Sequence, residues 1–199
     1  MGDRTPRGAA EQQILEAVED LLREGETFTK LSVGRIAERA GVARSSFYFH
    51  FPDKRALLVR LAESVTGSLF VPALAWVEDP GHDEPGLVET LAASLRLYRR
   101  HGALIAAIME VSAYDAVFAA AWRARVDEFI DALRRRMERD RRAGLLPRDL
   151  ECGAAATYLV WGTERTLGQH VAMDASGRGD RRLATGIAQS MWAVMGPRG

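Results

Sequence analysis

Hydrophobic residues recur at helical spacing along nearly the whole chain, and no stretch sustains the two-residue alternation of a half-buried strand. Ile14, Val18, Leu21 and Leu22 fall at i, i+4, i+7 and i+8, one face of a helix whose other face carries Glu11, Glu16, Glu19, Asp20 and Glu24. Ser32 is a good N-cap before Val33, Ile36, Ala37 and Ala40, and Gly41 stops that helix as a residue of positive φ would. A second short helix runs from about Ala43 to His50. Pro52 disfavours helix at Phe51, and Asp53 then caps a longer helix holding Leu57, Leu58, Leu61 and Val65. Two helices of about eight or nine residues joined through Gly41-Val42 match a helix-turn-helix. In its second helix Phe47 and Phe51, four apart, pack inward, while Arg44 with Tyr48 and Ser45 with Phe49 point elsewhere.

Asp79–Gly86, with two Pro, two Gly and three acids, reads as a loop. Further helices are predicted at about Leu87–Arg100, His101–Val111, Tyr114–Arg142, Leu150–Val171 and Asp180–Val194. The fold class is all-α, with about nine helices.

At 199 residues and 47% hydrophobic, the chain can build a sizeable core. Its 27 Lys and Arg balance 27 Asp and Glu, which excludes a binder that is basic throughout but not a local patch. Thr27–Arg60 holds seven cations (Lys30, Arg35, Arg39, Arg44, Lys54, Arg55, Arg60) against Glu38 and Asp53, a local excess of +5. Such a patch is the electrostatic footprint of a polyanion partner, the alternative being a solvated helical surface. Lys30 and Lys54 are the only lysines beside 25 arginines. No run of about 18 uncharged apolar residues exists, so no membrane span is expected. Met1–Ala10 is polar, unlike a signal peptide, and Pro6 stands where a myristoylation signal has Ser or Thr. The expected location is the cytoplasm.

Enzyme signatures are missing: there is no GxSxG, HExxH or Walker A motif, and Gly177-Arg178-Gly179 begins like a dinucleotide fingerprint but meets Arg182 and follows no strand. His50, His82, His101 and His170 have no ligand-like spacing. The lone Cys152 excludes a disulfide framework and a cysteine metal cluster, and near a helix start it is either an inert buried thiol or one of lowered pKa. No catalytic residue, metal or cofactor is therefore expected, and the chain does not read as an enzyme. A small helical hydrolase or transferase using His101 with Glu110 is the alternative.

The elements Ile36-Ala37, Ala40-Gly41-Val42, Phe47-Tyr48-Phe49-His50-Phe51 and Asp53-Lys54-x-x-Leu57, at their spacing, resemble the DNA-binding domain of the TetR (tetracycline repressor) family of transcriptional regulators. Phe47–Pro52, Glu138-Arg139-Asp140-Arg141 and Glu164-Arg165-Thr166-Leu167 are similar to its ethionamide-resistance regulator (EthR) group. The motifs cover about residues 10–70 densely and 135–170 sparsely. The resemblance implies a three-helix helix-turn-helix domain at residues 1–60 and an effector-binding and dimerisation domain at 61–199. It implies a homodimer that binds double-stranded operator DNA, most readily a repressor released from a palindromic operator by a small apolar ligand.

The residue chemistry gives the DNA contacts. Arg44 at the start of the recognition helix can pair bidentately with a guanine in the major groove, and Ser45 and Ser46 leave room for close approach. Tyr48 offers a phenol to phosphate, Phe49 an apolar face to a thymine methyl, and His50 a ring nitrogen to the backbone. Core packing is the alternative for Tyr48 and Phe49. Ser32 puts a hydroxyl and free amides toward phosphate, and Lys54 sits in the first helical turn after Asp53, where its ammonium would attract another. Ala43 departs from the family pattern, where Ser, Thr or an acid caps this helix; its loss costs about 1 kcal/mol.

Set beside the EthR group, the sequence places an effector pocket at Leu74, Val88, Leu95, Tyr98, Trp122, Val160, Thr163 and Trp192. Those relatives have asparagine where Val160 and Thr163 stand, so this wall is less polar. The resemblance pairs the last two helices across a two-fold axis, with Ala154, Ala155, Ala156 and Gly162 allowing close approach and Leu159, Leu167, Ile187, Met191 and Val194 supplying apolar area. A DNA binder with no effector, its aromatics all core, is the remaining alternative.

Overall fold

The all-helical pattern is realised as eight α-helices and one 3-10 turn in a computed structural model that describes residues 6–196. They are α1 (Pro6–Arg23), the 3-10 turn (Phe28–Lys30), α2 (Val33–Ala40), α3 (Arg44–His50), α4 (Lys54–Glu78), α5 (Glu84–Ser112), α6 (Ala116–Arg142), α7 (Cys152–Met173) and α8 (Asp180–Met195). Of the Met1–Ala10 stretch, read as neither signal peptide nor myristoylation signal, residues 1–5 lie outside the described part.

Eight helices replace nine because Leu87–Arg100 and His101–Val111 join into α5, which only kinks at His101 (φ −111, ψ 16). Helix α5 also begins inside the expected loop. Asp83 caps it, its Oδ1 accepting from the Gly86 amide at 2.8 Å, and Pro85 lies in the first turn, where a missing N–H costs no hydrogen bond. Asp115 caps α6 in the same way, its Oδ1 accepting from the amides of Val117 at 3.1 Å and Phe118 at 3.0 Å.

The chain forms two compact units. One is the chain through Val65 with Ala103–Trp122, so that a segment distant in sequence joins the helix-turn-helix. Its core is Ile14, Val18, Leu21, Ile36, Phe47, Leu57 and Leu58, all sealed from solvent, with α1, α2 and α3 packed on one another. The distant segment is tied in by Thr29, whose hydroxyl donates to Glu110 at 2.8 Å, and by a 2.7 Å pair between Arg55 and Asp115.

The second unit is Thr66–Gly102 with the chain from Arg123 on. Leu95, Leu133, Met137, Ala156, Ala184 and Ala188 are its buried centre, and the alanines let α7 and α8 lie close. Arg136 is buried, and it is satisfied. It donates to Asp140 at 2.8 Å, to the carbonyls of Val77 at 3.1 Å and Asp79 at 2.8 Å, and to the ring of His82. The guanidinium thereby closes the C-terminal end of α4, whose last carbonyls have no helical partners. His82 sits edge-on to Trp76 and Trp192, and burial and the nearby Arg136 charge lower its pKa. Cys152 is a buried thiol. Helix α4 alone among the described helices is long and apolar enough to cross a membrane, yet Leu57, Leu58, Leu61 and Val65 along it are core residues of the first unit.

The α7–α8 connection is held by Arg99. Its guanidinium grips both oxygens of Asp180 at 2.6 and 2.7 Å and donates to the Asp174 carbonyl at 2.7 Å, while His170 Nε2 lies 2.9 Å from Asp180. The Arg99 hydrogen bonds hold the Asp180 carboxyl down at about 2. A pKa below the unfolded value means that this pair stabilises the fold above about pH 4 and loses its effect as pH falls through 2. Asp180→Asn is expected to lower the urea midpoint at pH 7, with the gap to the wild type closing on acidification toward pH 2 while the protein remains folded. A gap that does not change with pH contradicts the assignment.

Candidate nucleic-acid interface

The surface around α2 and α3 is set by two glycine- and serine-based junctions. Ser32 caps α2, its Oγ accepting from the Arg35 amide at 3.1 Å. Gly41 ends the helix in the left-handed region at φ 67, and the Gly41 and Val42 amides return to the carbonyls of Glu38 and Ala37. The chain thus reverses in three residues and starts α3 at Arg44. Ala43 stands at the N-cap and makes no side-chain cap bond, consistent with the departure noted in the sequence.

Helix α3 has only seven residues, and its orientation is fixed by its inner side. Phe47 is 0% exposed and lies edge-on to Tyr48 at 5.5 Å and tilted to Phe51 at 5.8 Å. Burying that face turns the opposite one outward. Tyr48 is 47% and Phe49 62% exposed, which rules out core packing for both. Arg44 and Ser45 are exposed, and Ser46 and His50 are half-buried. The Arg44 guanidinium lies 5.8 Å from the Tyr48 ring centre and 3.5 Å from its hydroxyl, a loose contact that leaves its N–H groups to a partner.

The local charge excess is mostly answered from within. Arg35 pairs with Glu26 at 3.3 Å and Glu38 at 3.4 Å, Arg39 with Glu24, Arg55 with Asp115, and Arg60 with Glu11 at 3.2 Å. The acidic side of α1, the turn after it and Asp115 neutralise the arginines of α2 and α4. These are surface pairs of small individual worth, but they cancel much of the field the sequence window suggests. Among the described residues Lys30 and Arg44 are the two cations of that window with no carboxylate or carbonyl partner.

Lys54 departs from expectation. Its ammonium does not stand free but donates to three backbone carbonyls, Phe28 at 3.1 Å, Thr29 at 3.2 Å and Leu31 at 2.6 Å, and lies 5.2 Å from the Phe28 ring centre. An ammonium has three N–H donors, and all are used. Lys30 is absent from the expected contacts, although its place two residues before the Ser32 cap is visible in the sequence.

Seven of the eight residues assigned to an effector pocket lie in the second unit: Val88, Leu95, Tyr98 and Val160 are buried, Leu74, Thr163 and Trp192 half-buried. Trp122 belongs to the first unit, and its buried indole N–H has no hydrogen-bond partner among the described residues. Tyr98 donates weakly to Glu164 at 3.5 Å, and burial raises the pKa of that carboxyl. A groove of about 470 Å³ runs between α7 and α8. It takes Thr163 from the effector set but Leu159, Gly162, Ile187 and Met191 from the residues that the resemblance assigns to pairing. Beside it, His170, Asp174 and Asp180 bring potential ligand atoms within 4.8 Å of one another, but the Arg99 cation already occupies this cluster.

A short capped helix, a glycine turn and a second helix presenting Arg, Ser and aromatic side chains outward form the reading head of a DNA-binding regulator. Residues 14–61 match the family model described as bacterial regulatory proteins, tetR family, and residues 87–193 match that of transcriptional regulator EthR, C-terminal domain. The chain belongs to the TetR family of transcriptional regulators and is not an enzyme. Within that family it stands near EthR. The HTH-type transcriptional regulator EthR of Mycobacterium tuberculosis is 32% identical over 178 residues, covering 83% of this chain and 79% of that protein. The C-terminal family model, residues 87–193, reaches well beyond the 135–170 stretch in which the sequence motifs of that half lie. The same fold occurs in Salmonella enterica GusR (TM-score 0.77, 21% identity, 98% of this chain and 99% of that one). It occurs also in Bacillus subtilis FadR solved with stearoyl-CoA (TM-score 0.73, 17% identity, 90% and 96%).

The two phenylalanines of α3 separate stability from recognition. Phe47→Ala is expected to cost about 3–5 kcal/mol of unfolding free energy, whereas Phe49→Ala stays within about 0.5 kcal/mol of the wild type. Chemical denaturation measures both, and equal losses would mean that Phe49 is also core.

Proposed function

We propose that the protein is a repressor that binds a palindromic operator as a homodimer and is released by a small apolar effector in the cytoplasm. The observation that carries this reading is the outward face of α3, with Phe47 buried and Arg44, Ser45, Tyr48 and Phe49 offered to solvent. In the major groove Arg44 reads a guanine, Phe49 meets a thymine methyl, and Ser45 and Ser46 permit close approach. Ser32, Tyr48 and His50 fix the register on phosphates.

The α7–α8 groove supports pairing of two subunits. Gly162 and Gly186 let a second copy come close, Ile187 and Leu183 offer apolar area, and Tyr158, 77% exposed, stands ready to be covered. Two-fold pairing demands an inverted-repeat operator. The stearoyl-CoA complex of the FadR neighbour supports an acyl or similarly apolar effector for this architecture. Leu74, Val88, Leu95, Tyr98, Val160, Thr163 and Trp192 are the lining proposed for it. Helix α4 starts in the DNA-binding unit and continues into the effector unit, so an effector that moves it changes the spacing of the two recognition helices.

The test is binding of the purified protein to the DNA upstream of its own gene. Arg44→Ala is expected to weaken that binding by about 1–3 kcal/mol and to relax base preference at one symmetric position of the site. Undiminished sequence preference in the variant, or no binding by the wild type at low salt, refutes the reading.

A further inference from the structure

The only two lysines of the chain meet at one turn, and their surroundings differ sharply. A 3-10 helix has three residues per turn, so Phe28 and Leu31 point the same way, and both are buried. Thr29 and Lys30 between them therefore face outward. Thr29 gives its hydroxyl to Glu110, and Lys30 is exposed with no partner among the described residues. On the inner side the carbonyls of Phe28, Thr29 and Leu31 converge on Lys54 from the first turn of α4. The Lys54 ammonium thus ties the segment entering α2 to the start of α4. It fixes where Ser32, the next residue after Leu31, holds its hydroxyl and the free amides of α2.

We propose that the two lysines divide their roles at the DNA surface: Lys30 is the cation that contacts phosphate beside the Ser32 cap, and Lys54 is a positioning residue that holds the Phe28–Leu31 turn on α4 and touches no phosphate. The inference rests on the reading of α2 and α3 as the DNA-facing surface. An ammonium with three carbonyl acceptors has no donor left for a phosphate without breaking the turn. Burial lowers the Lys54 pKa, in keeping with a cation drawn into the protein rather than held out to solvent. Lys30 keeps all three donors and its hydration shell. Because the neighbouring Arg35, Arg39, Arg55 and Arg60 are ion-paired, it is one of few cations of this surface able to release a counterion from DNA.

The full-length protein is titrated with a random-sequence duplex and with the duplex upstream of its own gene, each over a range of salt concentrations. Lys30→Met is expected to weaken both complexes by the same factor and to flatten the slope of log affinity against log salt by about 0.9 per protomer, with an unchanged thermal midpoint. Lys54→Met is expected to keep the wild-type slope and lower the thermal midpoint. At a temperature where it is fully folded, it binds both duplexes several-fold more weakly, a loss that mere destabilisation would not produce. A flattened slope in Lys54→Met, or an unchanged slope in Lys30→Met, overturns the proposal. The Lys30 result decides alone if Lys54→Met does not fold. Wild-type protein that binds neither duplex defeats the DNA-facing reading itself, whereas wild-type binding with an unaltered Lys30→Met slope defeats only the division between the lysines.

Discussion

A helix of seven residues has no stability of its own, because the cost of nucleating it exceeds what so few hydrogen bonds return. Helix α3 also lacks a side-chain N-cap. It exists because Phe47 is fully buried and Phe51 nearly so, in a core completed by Ile36, Leu57 and Leu58. This one burial does two things. It supplies the free energy that local structure cannot, and it fixes the rotation of the helix about its axis, since Phe47 can face inward in one way only. The exposure of Arg44, Ser45, Tyr48 and Phe49 is the consequence. The surface proposed to read DNA is the back of the smallest packing unit.

The electrostatics of that surface come from pairing, not from a count of residues. A window with an excess of +5 suggests a broad basic patch, but carboxylates from α1, from the turn after it and from Asp115 sit on four of the arginines. What remains outward is sparse charge beside a capped helix and a short aromatic helix. Ion pairing of this kind weakens the diffuse field that the residue count alone suggests.

In the second unit a different economy holds. Two arginines make the most polar contacts: the buried Arg136 closes α4 against His82 and Asp140, and the partly exposed Arg99 clamps the α7–α8 connection through Asp180. These two guanidiniums fix the ends of helices whose middles are apolar and lined by small residues. The groove between α7 and α8 reaches His170 and Gly179, beside the connection that Arg99 holds.

The local pattern determined most of the architecture. Helical periodicity, the Ser32 cap, the Gly41 stop and the Pro52 break are short-range effects, carried by a few neighbouring residues, and they are legible wherever those residues stand. Phe47 and Phe51 at a spacing of four likewise announced which face of α3 turns inward. What the pattern could not supply were the meetings of residues far apart in the chain. Lys54 reads as a free cation until the carbonyls of residues 28–31 fold onto it, and Arg55 reads as one until Asp115 arrives from the next segment of the same unit. Helix α5 starts earlier than composition suggests because Asp83 and Pro85, turn residues by composition, act as cap and first turn. A side chain's partners depend on distances that sequence separation does not encode. Tertiary structure alone decided which charges are available and which are already satisfied.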